Sequence, residues 1–261
     1  MATISRWEDV VMVIRNRAGD VIRSVEDWKA LAPPASKTHW KDGRSAKELA
    51  KAWMDGSGPA LVGEAFSQTE DLGTLEIHDV TVEAQVAFDE FPGGKRNHDL
   101  LIRGTCDSGP VVIGLEAKAD ESYGETVASY RRKALAIRAA GTSTNAPERL
   151  SGLLTDIGLI SLDTHPTFGD LRYQLFSGIA GTLAAVSEPG ERAVFFVHEF
   201  ATPQTTPGKR AENHVDLNRF LGDVFGAPAL DVNPWLIGPL GVPAERWARI
   251  PLYIGHGSTE S

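Results

Sequence analysis

The chain has 261 residues, 42% hydrophobic and 23% charged, the proportions of a globular protein with material for a substantial core. Its one cysteine, Cys106, excludes an internal disulfide framework and a Cys-rich zinc site, and predicts a reducing, cytoplasmic setting. The net charge of −9 argues against a protein that coats nucleic acid through a broad basic surface.

That charge is unevenly spread. Residues 1–90 carry 10 basic and 16 acidic side chains, residues 91–150 carry 9 and 7, and residues 151–261 carry 7 and 12. Only the middle stretch has a positive balance. Arg6, Glu8, Asp9, Arg15 and Arg17 interrupt the first 19 residues, so no signal peptide is expected there. No uncharged apolar run approaches the ~18 residues of a membrane span, and no membrane partner is expected.

In chain order, the pattern predicts a short β-like run over Val10–Ile14, a loop at Pro33-Pro34, and a helix over Ser45–Met54. Ser45 and Glu48 form a capping-box pattern at its start. Gly56-Ser57-Gly58-Pro59 reads as a break. From Val80 the period becomes 2, with Val80, Val82, Ala84, Val86 and Phe88 on one face and Thr81, Glu83 and Gln85 on the other. Strands follow over Asp99–Arg103 and Val111–Lys118, joined by a hairpin at Cys106-Asp107-Ser108-Gly109-Pro110. The second begins apolar on both faces, as a buried central strand does, and then ends in charge. Helices are predicted over Glu125–Ala140 (capped by Ser122 and Glu125, stopped by Gly141), Glu148–Ile157 and Asp170–Val186. A strand over Ala193–Val197, a helix over Val215–Phe225, Pro- and Trp-rich covering segments and a short strand near Ile250–Ile254 complete the chain.

The charged strand end carries the chemistry. Period 2 places Glu116 and Lys118 on one face, and a hairpin centred between Asp107 and Ser108 sets Asp99 opposite Glu116. Opposed carboxylates destabilise a sheet unless something neutralises them. A divalent cation would do so, and hard oxygen ligands select Mg²⁺ or Mn²⁺ over zinc. With a lysine beside such an ion, the parts suit phosphodiester hydrolysis.

Asn97-His98-Asp99-Leu100-Leu101-Ile102, a hairpin, and then Ile113-Gly114-Leu115-Glu116-Ala117-Lys118 resembles the signature of the PD-(D/E)XK nuclease superfamily. Glu116 through Gly124, Leu171 through Leu175 and Thr38 through Ala46 are similar to segments of an uncharacterised bacterial family within that superfamily. The resemblance implies one α/β domain over 1–261. Its mixed sheet, restriction-endonuclease-like, would be flanked by helices, with a core at about 76–200, an N-terminal helical and loop addition (1–75) and a C-terminal one (201–261). It implies a metal-dependent nuclease acting on nucleic acid, DNA before RNA. Asp99 and Glu116 would be ligands for Mg²⁺ or Mn²⁺, and Lys118 the catalytic lysine. Glu83 is a candidate third ligand and Gln174 a candidate match to a glutamine of RecB-like members. His98 stands where the nominal motif has proline. The alternative is a catalytically inactive member that binds nucleic acid or a protein partner.

Arg172 is a further candidate near the site, and Lys95, Arg96, Arg131, Arg132 and Lys133 are candidate nucleic-acid contacts. His39 and Trp40 are read as packing or a helix-entry contact, and His198 as a satisfied strand-end histidine, with bordering the site the alternative for His198 and Glu199. His214 and Asp216 lack a third ligand for zinc, and Gly93-Gly94-Lys95-Arg96 lacks the spacing of a P-loop.

Overall fold

The computed structural model describes residues 12–34, 36–158, 160–230 and 232–260. Seven strands form one mixed sheet in the order β1-β2-β3-β4-β5-β7-β6. They are β1 (Val13–Arg15), β2 (Leu75–Val86), β3 (Arg96–Cys106), β4 (Gly109–Lys118), β5 (Arg192–Ala201), β6 (Trp235–Leu240) and β7 (Leu252–Glu260). β2, β3 and β4 form an antiparallel meander, whereas β4, β5 and β7 run parallel. Of the run expected over Val10–Ile14, Val13 and Ile14 lie in β1, which continues to Arg15, and Val10 and Val11 lie outside the described residues.

Helices cover both faces. α1 (Val25–Leu31), α2 (Ser45–Asp55) and α3 (Ser57–Ser67) bury Trp28, Trp53 and Phe66 against Val82, Leu100, Ile113, Leu115 and Phe196. α4 (Val127–Ala139), α5 (Ala146–Gly158), α6 (Tyr173–Ala184) and α7 (Pro207–Phe225) bury Leu153, Phe176, Ile179 and Phe220 against Phe195, Val197 and Ile254. Every β4 residue from Val111 to Lys118 is buried, as its two-sided apolar run requires. The N- and C-terminal portions are integral. The first supplies one helical layer, and the last adds α7 and two of the seven strands.

Several local expectations are corrected. Arg44, not Ser45, is the N-cap of α2, and Glu48 reaches back to the Gly43 amide (2.7 Å). α4 is capped by Thr126, whose hydroxyl accepts from the Ser129 amide at 3.3 Å, and not by Ser122. Gly56 is a turn residue with φ 89° between two helices, so α3 begins where a break was predicted. The predicted Asp170–Val186 helix is a 3-10 turn (Pro166–Asp170) followed by α6. α7 starts eight residues earlier than predicted, and α1 and β6 were not foreseen.

Candidate active site

The hairpin register is the one expected: Leu100 pairs with Leu115 and Cys106 with Gly109. The β3–β4 ladder stops at Leu100. Beyond it β4 stays paired with β5 through Lys118–Glu199, while β3 stays paired with β2 through Val86–Arg96. The two strands therefore diverge where Asp99 faces Glu116, and the Asp99 carboxylate accepts the Ala117 amide (2.7 Å) in place of a backbone partner.

The divergence has a local cause. Side-chain alternation along β3 breaks at Asp99: Leu100 and Ile102 lie in the core under α1–α3, but His98 packs toward Gly181 of α6. A Cβ at Gly181 would stand 2.7 Å from His98 Nε2. On β2, in the gap between the pairs Val82–Leu100 and Ala84–His98, Glu83 adopts φ 54°, a left-handed conformation that non-glycine residues seldom hold. The break turns Arg96 and His98 toward α6, the face that carries Glu116.

Glu116 is the hub and is 4% exposed. Its Oε1 accepts from Lys118 Nζ at 2.7 Å and from Gln174 Nε2 at 2.6 Å, and its Oε2 accepts from the Arg96 guanidinium. Burial alone would raise the Glu116 carboxyl, but Lys118 and Arg96 outweigh it and hold it below the usual range. Asp99 is half-buried and, among the described residues, has no ion pair. Desolvation, then the Glu116 charge, pushes it up to about 8. Two adjacent carboxyls are thus driven apart, one ionised and one protonated at neutral pH. His98 is held down to about 3 by burial and by Arg96, so it is neutral.

Of the catalytic and metal candidates named from sequence, Asp99, Glu116, Lys118 and Gln174 come together. Glu83 stands close enough to be felt by Asp99, but Asn97 bonds its carboxylate. Burial raises the Glu83 carboxyl, with Asn97 and Arg17 opposing that rise. Among the described residues, no group of three or more His, Cys, Asp or Glu side chains is placed to hold a metal. Arg172 is taken up elsewhere: it caps α6 and bonds Asp216 (2.7 Å), Glu212 (2.7 Å) and the Gly124 carbonyl (2.8 Å). That pairing also removes Asp216 from any zinc reading with His214.

The basic candidates divide. Lys95 is exposed, whereas Arg96 is buried on Glu116 and presents no surface cation. On α4, Arg131 pairs with Asp163 (2.9 Å) and Lys133 with Glu125 (2.8 Å), which shrinks the expected basic face. Among the described residues Arg132 makes a 3.4 Å contact with Ser129 and no ion pair. Trp40 packs on the core below α1–α3, and His39 is exposed. His198 contacts Thr259 (3.1 Å).

Two participants stand outside the expected catalytic set. Arg96, expected as a nucleic-acid contact and found on Glu116, is one. Tyr123 is the other: it is buried with its ring 5.7 Å from Lys118 Nζ. A cavity of about 590 Å³ lined by Arg17, Glu83 and Asn97 reaches the site at Glu83.

Compared with known proteins, residues 21–258 match the family described as a domain of unknown function (DUF6946). The chain belongs to that family. The match takes in β2 through β6 and every residue of the site. No curated protein and no solved structure matches the chain. No helix among the described residues of this DUF6946 chain is long and apolar enough to cross a membrane.

Proposed function

We propose that this chain is a metal-dependent nuclease of the PD-(D/E)XK type with a restriction-endonuclease-like core, hydrolysing phosphodiester bonds in nucleic acid, DNA before RNA. The observation that carries the reading is the meeting of Asp99, Glu116, Lys118 and Gln174 where β3 and β4 diverge. The donor set fits a hard cation. Two carboxyls on diverging strands suffer mutual repulsion, and a Mg²⁺ site needs only one or two carboxylates beside water and substrate phosphate.

Asp99 and Glu116 would hold Mg²⁺ or Mn²⁺, with Glu83 behind them. A bound ion of this kind polarises a phosphoryl oxygen and lowers the pKa of its water. Lys118, anchored on Glu116 Oε1, has donors left to position the attacking water or to meet charge on the phosphoryl oxygens. Gln174 fixes the Glu116 carboxylate plane. Lys95 and Arg132 are the remaining surface candidates for backbone phosphates.

The test is Mg²⁺-dependent cleavage of a mixed DNA substrate by the wild type, Lys118→Ala and Glu116→Ala, each checked for folding by circular dichroism. Activity in the wild type and its loss in both variants is expected. Wild-type-like cleavage by both variants overturns the mechanism. The second reading, a nuclease-fold protein that binds nucleic acid or a protein partner without metal, draws on the ion pairs that already neutralise Glu116. It expects no Asp99- and Glu116-dependent heat on Mn²⁺ titration.

A further inference from the structure

Arg96 has no task in the chemistry just described, yet it sits on the central carboxylate. Its side chain is 9% exposed and bonds Oε2 of Glu116, while its Nε meets no acceptor among the described residues. Oε1 of the same carboxylate already accepts from Lys118 and Gln174 at 2.7 and 2.6 Å. Oε2 is therefore the oxygen left for an outside ligand, and Arg96 covers it. The fold makes room for this: a Cβ on Gly181 would lie 2.6 Å from Arg96 Cγ, so α6 can pass over the arginine only with glycine there. Asp99, the other carboxyl, has no ion pair among the described residues and stays open.

A guanidinium with a donor lacking an acceptor, bonded to a carboxylate that a cation would need, is an incomplete arrangement. A divalent cation and a guanidinium on one oxygen repel each other, and in a poorly hydrated site that repulsion is weakly screened, so the two compete for it. We propose that Arg96 is a displaceable counter-cation, which bonds Glu116 Oε2 in the metal-free chain and gives up that oxygen when a divalent cation binds. The proposal rests on the metal-site reading above. It makes Arg96 a positioning residue that sets how tightly, and on whose displacement, the metal enters.

The experiment is calorimetric titration of the full chain with Mn²⁺ alone, comparing wild type, Arg96→Gln, Glu116→Gln and Asp99→Asn. Removing a charge-assisted competitor for Oε2 should tighten Mn²⁺ binding by about tenfold or more in Arg96→Gln. Equal or weaker binding by folded Arg96→Gln, with wild-type binding still dependent on Asp99 and Glu116, overturns the proposal and leaves the metal site standing. Absence of Asp99- and Glu116-dependent heat in both wild type and Arg96→Gln overturns both. Should Arg96→Gln not fold, the unaltered protein carries the test. The Arg96 Nε–Hε resonance should shift and begin to exchange with water as Mg²⁺ saturates. A resonance unmoved at saturation overturns the displacement.

Discussion

Asp99→Asn should stabilise the metal-free protein, and increasingly so as pH rises. The Asp99 carboxyl is pushed up to about 8 from 3.8, first by desolvation and then by the Glu116 charge. In the unfolded chain it ionises near its ordinary value, so between the two pKa values the folded state binds the extra proton. Stability from this group is complete below the unfolded pKa and is lost as pH rises toward the folded one. At about 1.4 kcal/mol per pH unit, the gap from 3.8 to neutrality sets a ceiling of about 4 kcal/mol at pH 7. Because Asp99 is only half-buried, solvent screening brings the expected figure to about 1–3 kcal/mol.

Asparagine is the right replacement because its Oδ1 can still accept the Ala117 amide, now made at 2.7 Å, and cannot ionise. Urea unfolding with EDTA at about pH 4.5 and about pH 8 reads the difference. The gain of Asp99→Asn over wild type should be under about 1 kcal/mol at the lower pH, which lies just above the unfolded pKa, and about 1–3 kcal/mol at the higher. Saturating Mn²⁺ should erase that gain, since the cation stabilises only the chain that offers the carboxylate. A difference independent of pH, or a variant less stable at pH 8, would refute the claim that desolvation and the Glu116 charge hold Asp99 protonated here.

Three other outcomes follow from the same packing. Gln174→Ala removes the 2.6 Å bond that orients Glu116 and should weaken Mn²⁺ binding about 10- to 100-fold with little change in melting temperature; unchanged affinity by calorimetry takes Gln174 out of the site. Gly181→Ala would gain about 1 kcal/mol of helix propensity, but its methyl meets Arg96 Cγ at 2.6 Å and His98 Nε2 at 2.7 Å, so a net loss of about 1–2 kcal/mol is expected in urea, and stabilisation would contradict the α6–β3 contact. Arg149→Ala abandons Asp89 and the Phe91 and Gly93 carbonyls (3.2 and 2.7 Å), and should cost about 2–4 kcal/mol and speed amide exchange through the loop before β3; unaltered exchange there would count against Arg149 as its clamp.

What the sequence disclosed, it disclosed through periodicity. The hairpin centred on Asp107-Ser108 is legible because turn chemistry at Cys106–Pro110 separates two strand-like runs, and register then follows from turn length. Arg96 was misread as a surface cation because alternation breaks at Asp99, and composition carries no sign of a face switch. The left-handed Glu83 has no glycine to announce it. β6 ends at the sheet edge with Pro239 in it, and a proline inside a run argues against a strand unless the strand is an edge. α1 has only seven residues, too few for a helical stripe. A sign of its start was nonetheless present, in Ser24 accepting from the Asp27 amide at 3.0 Å while Asp27 accepts from the Arg23 amide at 3.0 Å.

The same contrast governs the charge argument. From sequence, the slightly basic stretch 91–150 is where a phosphate should bind. In the fold, that surplus is turned inward or paired: Arg96 and Lys118 converge on Glu116, and Arg131 and Lys133 meet Asp163 and Glu125. With Asp99 protonated, Arg96 and Lys118 balance Glu116 and Glu83, so the cluster is neutral without a metal. A divalent cation that ionises Asp99 and expels Arg96 again adds two charges and removes two, leaving the cluster neutral. Charge balance alone therefore permits both states. The choice between them rests on which cation Glu116 Oε2 prefers, and that preference is what the Arg96→Gln titration measures.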